Sequence, residues 1–214
     1  MHILLVEDDP LVASGIVTGL QLHGLTIDHV DTAKWADAAL ARLDAESTEV
    51  EISDPVEAVD AAIKALSPLH GDLHGEVAGR VHVLGADAAL PVHAARPLLV
   101  AAVQNLIDNA LRYAPEGTPV IARIEPQNHG MMRISVLDEG PGMDEEARSQ
   151  AVNRFWRGDP TKPGYGLGLS IVNAIARRYG GSLELLQRND GGLEARLTLP
   201  MQDGSTQTCS RRFP

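Results

Sequence analysis

The sequence predicts an α/β fold. Short apolar runs of strand length alternate with longer stretches of helical periodicity, Gly, Pro or acidic residues bound nearly every run, and the last two runs meet at a glycine-rich hairpin turn. Residues 2–6 (H-I-L-L-V) read as a strand ended by acids. Residues 10–23 then read as a helix through Leu11, Val12, Ile16, Leu20 and Leu22, stopped by Gly24. A second strand is predicted at 25–30 and an Ala-rich helix at 33–43, with Trp35, Ala39, Leu40 and Leu43 on one side. The polar, acidic stretch 44–52 reads as a junction. Beyond it, Ser53, Asp54 and Pro55 are a helix-start signal for a helix from Pro55 to Leu69. A strand from Arg80 to Leu84 follows, then a long helix from Arg96 to Tyr113 that Ala114-Pro115-Glu116-Gly117 terminates. The alternation around Val120, Ala122 and Ile124 and the run Met131 to Leu137 each have strand length. Leu167 to Tyr179 reads as a helix closed by Gly180-Gly181, and Leu183–Gln187 pairs with Leu193–Leu199 around N-D-G-G. The tail 201–214 is polar and expected to be flexible.

Composition narrows the function classes. A hydrophobic fraction of 44% with 22% charged residues is that of a globular protein, and no run approaches the roughly 18 apolar residues of a membrane span. The N-terminus lacks the basic and apolar regions of a secretory signal, so a cytoplasmic location is expected. The lone Cys209 cannot form an internal disulfide, which fits a reducing compartment. A formal net charge of −11 argues against nucleic acid as a partner, because phosphate binding needs clustered Lys and Arg.

Four segments carry chemistry. In N-L-I-D-N-A-L-R-Y (105–113), Asn105, Asn109, Arg112 and Tyr113 fall at i, i+4, i+7 and i+8, one polar stripe on a mostly apolar helix. Alone, that stripe reads as well as a solvent-facing strip. In D-E-G-P-G-M (138–143), a carboxylate and two glycines end an apolar strand. This chemistry suits accepting a hydrogen bond from an exocyclic amine while backbone lies close to a flat ring. In N-R-F-W-R-G-D (153–159), Arg154 and Arg157 flank Phe155 and Trp156: an aromatic anchor beside cations able to meet phosphates, or a docked surface loop. In G-Y-G-L-G-L-S-I-V (164–172), Gly164, Gly166 and Gly168 run into an amphipathic helix whose first N–H groups can hold phosphate oxygens. A glycine-rich loop by itself is weak, and here it arrives in company.

In order and spacing these segments closely resemble the N, G1, F and G2 boxes of the sensor histidine kinase catalytic domain, a member of the Bergerat ATP-binding fold, over about residues 51–200. The resemblance implies an α/β sandwich, with helices covering one face of a mixed sheet, across a domain at 53–200. It implies ATP and Mg²⁺ as cofactors, with Asn109 as the Mg²⁺ ligand, Asn105 beside it, Arg112 near phosphate and Tyr113 beside the adenine. Asp138 would receive the adenine amino group, and Gly140 and Gly142 would shape the base pocket. Arg154 and Arg157 would lie in or beside a lid, and Gly164, Gly166 and Gly168, followed by Leu169, would close over the triphosphate.

Residues 1–43, above all I-L-L-V-E-D-D-P, resemble the start of a response-regulator receiver of the winged-helix class, in which Glu7 and Asp8 would be vestiges of a Mg²⁺ pocket. The receiver's later phosphorylatable Asp, Ser/Thr and Lys have no counterpart, so phosphotransfer to this segment is not expected. A phosphoacceptor motif like H-E-x-R-T-P is also missing. His70, His74, His82 and His93 lack its flanking residues, H-A-A-R-P at His93 coming nearest. The expected function is therefore an ATP-dependent kinase domain of a two-component system. It would act on a histidine supplied in trans, with a histidine-containing dimerisation domain or a response regulator as partner. Two alternatives are a catalytically silent nucleotide-binding module and an anti-sigma-type serine kinase on the same fold.

Overall fold

The computed structural model describes residues 2–6, 26–30, 51–67, 76–159 and 166–202, the first two segments by backbone alone. The chain divides into two compact units, Met1–Val50 and Glu51–Pro214. In the first, strand β1 (His2–Val6) pairs in parallel with β2 (Thr26–Val30), Leu4 opposite Asp28. Glu7, Asp8 and the helices expected at 10–23 and 33–43 lie outside the described residues.

The second unit opens with β3 (Ile52–Ser53) and helix α1 (Pro55–Leu66). Asp54 caps α1, its Oδ1 accepting from the N–H of Val56 at 2.7 Å and of Glu57 at 3.4 Å, and Pro55 supplies the preset first turn. Next come α2 (Glu76–Arg80), β4 (Val81–Leu84), β5 (Val92–His93) and α3 (Arg96–Tyr113). Arg80, expected to begin a strand, instead ends α2, where its guanidinium donates to the carbonyls of Thr118 and Pro115, each at 3.1 Å. The first helix is described as ending at Leu66 with Ser67 as its cap, short of the expected Leu69.

Strands β6 (Val120–Gln127) and β7 (Met131–Leu137), helices α4 (Glu145–Gln150) and α5 (Gly168–Arg178), and strands β8 (Ser182–Gln187) and β9 (Leu193–Pro200) complete the unit. The sheet order is β4-β6-β7-β9-β8, parallel between β4 and β6 and antiparallel elsewhere, hence mixed. Val120, Ala122 and Ile124 on β6, Met132, Ile134 and Val136 on β7, and Ala195, Leu197 and Leu199 on β9 are buried at every second position. That period turns one face of the sheet to the helices. Against it α1 packs on α3 and α3 on α5, closing a core that includes Leu99, Leu106, Ile107 and Val172. The fold is thus the helix-on-sheet sandwich that the sequence implied.

Candidate functional site

The C-terminal half of α3 buries Leu106, Ile107, Ala110 and Leu111 in the core and leaves Asn105, Asp108, Asn109, Arg112 and Tyr113 half-buried along the opposite edge. These five line a cavity of about 430 Å³ with Arg157, Gly166, Gly168 and Leu169. A second cavity of about 290 Å³ is lined by Asp138, Gly142, Asp144 and Leu193, and shares Asn109, Tyr113, Met143, Trp156 and Gly158 with the first. The shared walls make one divided cleft, of the size that takes a small-molecule ligand. Asn109 and Tyr113 stand at the seam.

At the inner end, Asp138 is 4% exposed where β7 ends. Its Oδ1 accepts from the N–H of Gly140 at 2.8 Å and of Leu193 at 3.3 Å, while Oδ2 accepts no hydrogen bond among the described residues. Burial pushes its pKa up, and the two N–H donors and the Arg188 guanidinium pull against that. The residue therefore offers one committed oxygen and one oxygen open to the smaller cavity. Gly140 lines neither cavity but must be small: a Cβ there would stand 2.9 Å from Asp138 Oδ1 and 3.0 Å from the Tyr113 carbonyl.

At the outer end, α5 begins with no side-chain cap among the described residues, so its first N–H groups are open to an anion. Gly168 lies against Asn105, whose Oδ1 would be 3.0 Å from an added Cβ, while the Asn105 amide nitrogen donates back to the Ala101 carbonyl at 2.8 Å. Gly166, with φ +68°, lies so close to the 153–159 loop that a Cβ would be 2.5 Å from the Trp156 carbonyl; its own carbonyl accepts from the Phe155 N–H at 2.9 Å. Backbone contact therefore fastens the aromatic loop to the glycine loop. Trp156 enters both cavities, whereas Phe155 is 72% exposed.

Of the residues singled out in the sequence, Asn105, Asn109, Arg112, Tyr113, Arg157, Gly166, Gly168 and Leu169 face the larger cavity, and Asp138 and Gly142 the smaller. Arg154 is exposed and faces neither. Gly164 lies outside the described residues, as do His70 and His74; His82 lies on β4 and His93 on β5. Asp108 and Met143 were missed. Asp108 had a signal, since it sits three residues after Asn105 on the same stripe and four before Arg112, with which it forms an ion pair. Met143 had none, because its place at the seam depends on how the 138–143 loop folds back.

A family model described as "Histidine kinase-, DNA gyrase B-, and HSP90-like ATPase" matches residues 94–203. The chain is 40% identical over 93 residues to the signal transduction histidine-protein kinase/phosphatase MprB of Mycolicibacterium smegmatis, a match covering 42% of this chain and 19% of that protein. It is 40% identical over 105 residues to the sensor protein QseC of Escherichia coli, covering 48% of this chain and 22% of that one. The chain thus spans about a fifth of the length of these curated relatives. Among solved structures, a mycobacterial sensor histidine kinase MprB superposes with a TM-score of 0.61 at 26% identity, over 72% of this chain and 99% of that one.

Proposed function

Because the chain belongs to the histidine kinase-, DNA gyrase B- and HSP90-like ATPase family, we propose that its second unit binds Mg-ATP and transfers the γ-phosphoryl to a histidine supplied in trans by a two-component partner. The observation that carries this reading is the pairing of Asp138, whose Oδ2 is free at a buried wall, with the open start of α5 across the shared seam. A purine amine donates to the first and phosphate oxygens accept from the second. Tyr113 and Met143 flank the base, and Arg112 and Arg157 add positive charge on the phosphate side.

The residues present fit a Mg²⁺ ion. Asn109 lines both cavities and brings an uncharged amide oxygen to the place where base and phosphate regions meet, and Mg²⁺ takes few protein ligands beside waters and phosphate oxygens. Bound there, the ion neutralises phosphate charge. This chain's residues position: Asp138 fixes the base and the helix start fixes the phosphate chain. The partner's imidazole nitrogen then forms its bond to the γ-phosphorus as the bond to the ADP oxygen breaks. Such a reaction belongs in the cytoplasm, where ATP is. Parallel pairing of β1 with β2 supports reading residues 1–43 as a receiver-like fragment.

Calorimetry with Mg-ATP on the wild type and Asn109→Ala tests the site. The expected loss is at least about tenfold, the worth of one hydrogen bond or ligand contact to a charged group; equal affinities remove the metal role. Incubation with ATP and a separate dimerisation hairpin is expected to give acid-labile phosphate on the hairpin and none on this chain. Acid-stable phosphate would instead mark a serine kinase, and binding without transfer a silent module.

A further inference from the structure

The β8–β9 hairpin is built into the back of the smaller cavity. The Asp138 N–H donates to the Leu193 carbonyl at 3.0 Å, and the Arg188 guanidinium donates to the Asp138 carbonyl at 2.6 Å. Gly192 lies so close to that carbonyl that a Cβ would stand 2.0 Å from it. The hairpin end is therefore a rigid base, fastened to the strand that carries Asp138. Gln187, one residue before Arg188, reaches from this base to the opposite side of the loop: its Oε1 accepts from the Met143 N–H at 2.8 Å. Its carboxamide fills the space where a Cβ on Gly142, at φ +73°, would come within 2.1–2.5 Å. Gly142 lines the smaller cavity, and Met143 lines both. Gln187 is otherwise exposed, so this bond, and no apolar packing, accounts for where its carboxamide lies.

We propose that Gln187 is a positioning residue for the base end of the nucleotide site, holding the G-P-G-M loop from a rigid hairpin so that the base cavity keeps its width beside Asp138. This rests on the ATP-binding reading above. The loop has one end fixed by Asp138. At its other end the Met143 carbonyl accepts from the Arg148 guanidinium at 2.7 Å, and the Met143 N–H on Gln187 is, among the described residues, the one tie from this end to the hairpin. Without that acceptor the loop can shift toward the seam about the Arg148 contact. Asp138 and Gly142 border the smaller cavity alone, and of these groups Met143 is the one that reaches the larger, so the base half of the ligand reports on Gln187 more strongly than the phosphate half.

The test titrates the full chain, as wild type, Gln187→Leu and Gln187→Glu, with adenosine, ADP and inorganic tripolyphosphate. Gln187→Leu keeps the volume and removes the acceptor; adenosine and ADP are expected to weaken about threefold to tenfold, the span of one net hydrogen bond. Tripolyphosphate is expected to bind as before, which also shows the variant to be folded. Gln187→Glu, which retains an acceptor oxygen, is expected to restore adenosine to within about threefold of wild type. Unchanged adenosine affinity in Gln187→Leu beside a wild type that binds, or an equal loss for adenosine and tripolyphosphate, overturns the role of Gln187 alone. A wild type that binds neither adenosine nor ADP overturns the ATP reading and this inference with it.

Discussion

Burial holds the Asp138 carboxyl above its ordinary range, because desolvation outweighs the N–H donors of Gly140 and Leu193 and the charge of Arg188. A carboxyl raised on folding binds its proton more tightly in the native chain than in the unfolded one. Its stabilising effect is complete below the unfolded pKa and disappears as pH rises through the folded value, so at neutral pH the ionised group costs stability. Asp138→Asn removes that cost while its Oδ1 still accepts from Gly140 and Leu193. Thermal melts of the ligand-free protein should therefore rise at pH 8 and change little at pH 3. The same substitution turns an amide N–H toward the cavity where an adenine amine also donates, and ADP affinity should fall at least about tenfold. A melting gain without a binding loss would mean that Asp138 does not meet the base. The sequence disclosed this residue through its acidic end of an apolar run, but not its long-range tether, the Leu193 N–H 55 residues away: a contact set by strand register is invisible to local pattern.

Elements with strong punctuation were legible and weakly marked ones were not. Helix α3 runs from Arg96 to Tyr113, as its apolar period and Pro97 and Pro115 dictate. The six residues of α4 are too few to display a period, and the β3–β5 pair, Ile52 opposite His93 and Ser53 opposite Val92, is only two residues long. The sequence also gives no sign of what serves the start of α3, where Ala95 has no capping side chain. Tyr179, at the end of α5, does so: its hydroxyl accepts from the Ala95 N–H at 3.0 Å and donates to Glu51 Oε2 at 2.9 Å. One phenol thus joins two helices of the site at the ends away from the cleft. Tyr179→Phe leaves the Ala95 N–H without that partner and should cost about 1 kcal/mol. Glu51→Gln, which keeps an acceptor oxygen, should cost less than half of that in the same denaturant titrations. Equal losses would assign the stabilisation to the Glu51 charge and not to the tie between helices.

At the scale of the whole chain, the residues that line the cleft and the described core from Ala58 to Leu199 belong to the Glu51–Pro214 unit. The sheet of that unit has its own helical cover, with α1 packed on α3 and α3 on α5. If the groups that meet the ligand all lie in one unit, that unit alone carries the binding free energy. A chain comprising residues 51–202 should therefore unfold in one cooperative transition and bind Mg-ATP within about twofold of the full chain, a difference below roughly 0.4 kcal/mol. Phosphorylation of a separate histidine hairpin should likewise persist. A tenfold or greater loss of affinity on removing residues 1–50 would show that those residues act on the cleft, and the separation of the two units in function would then have to be given up.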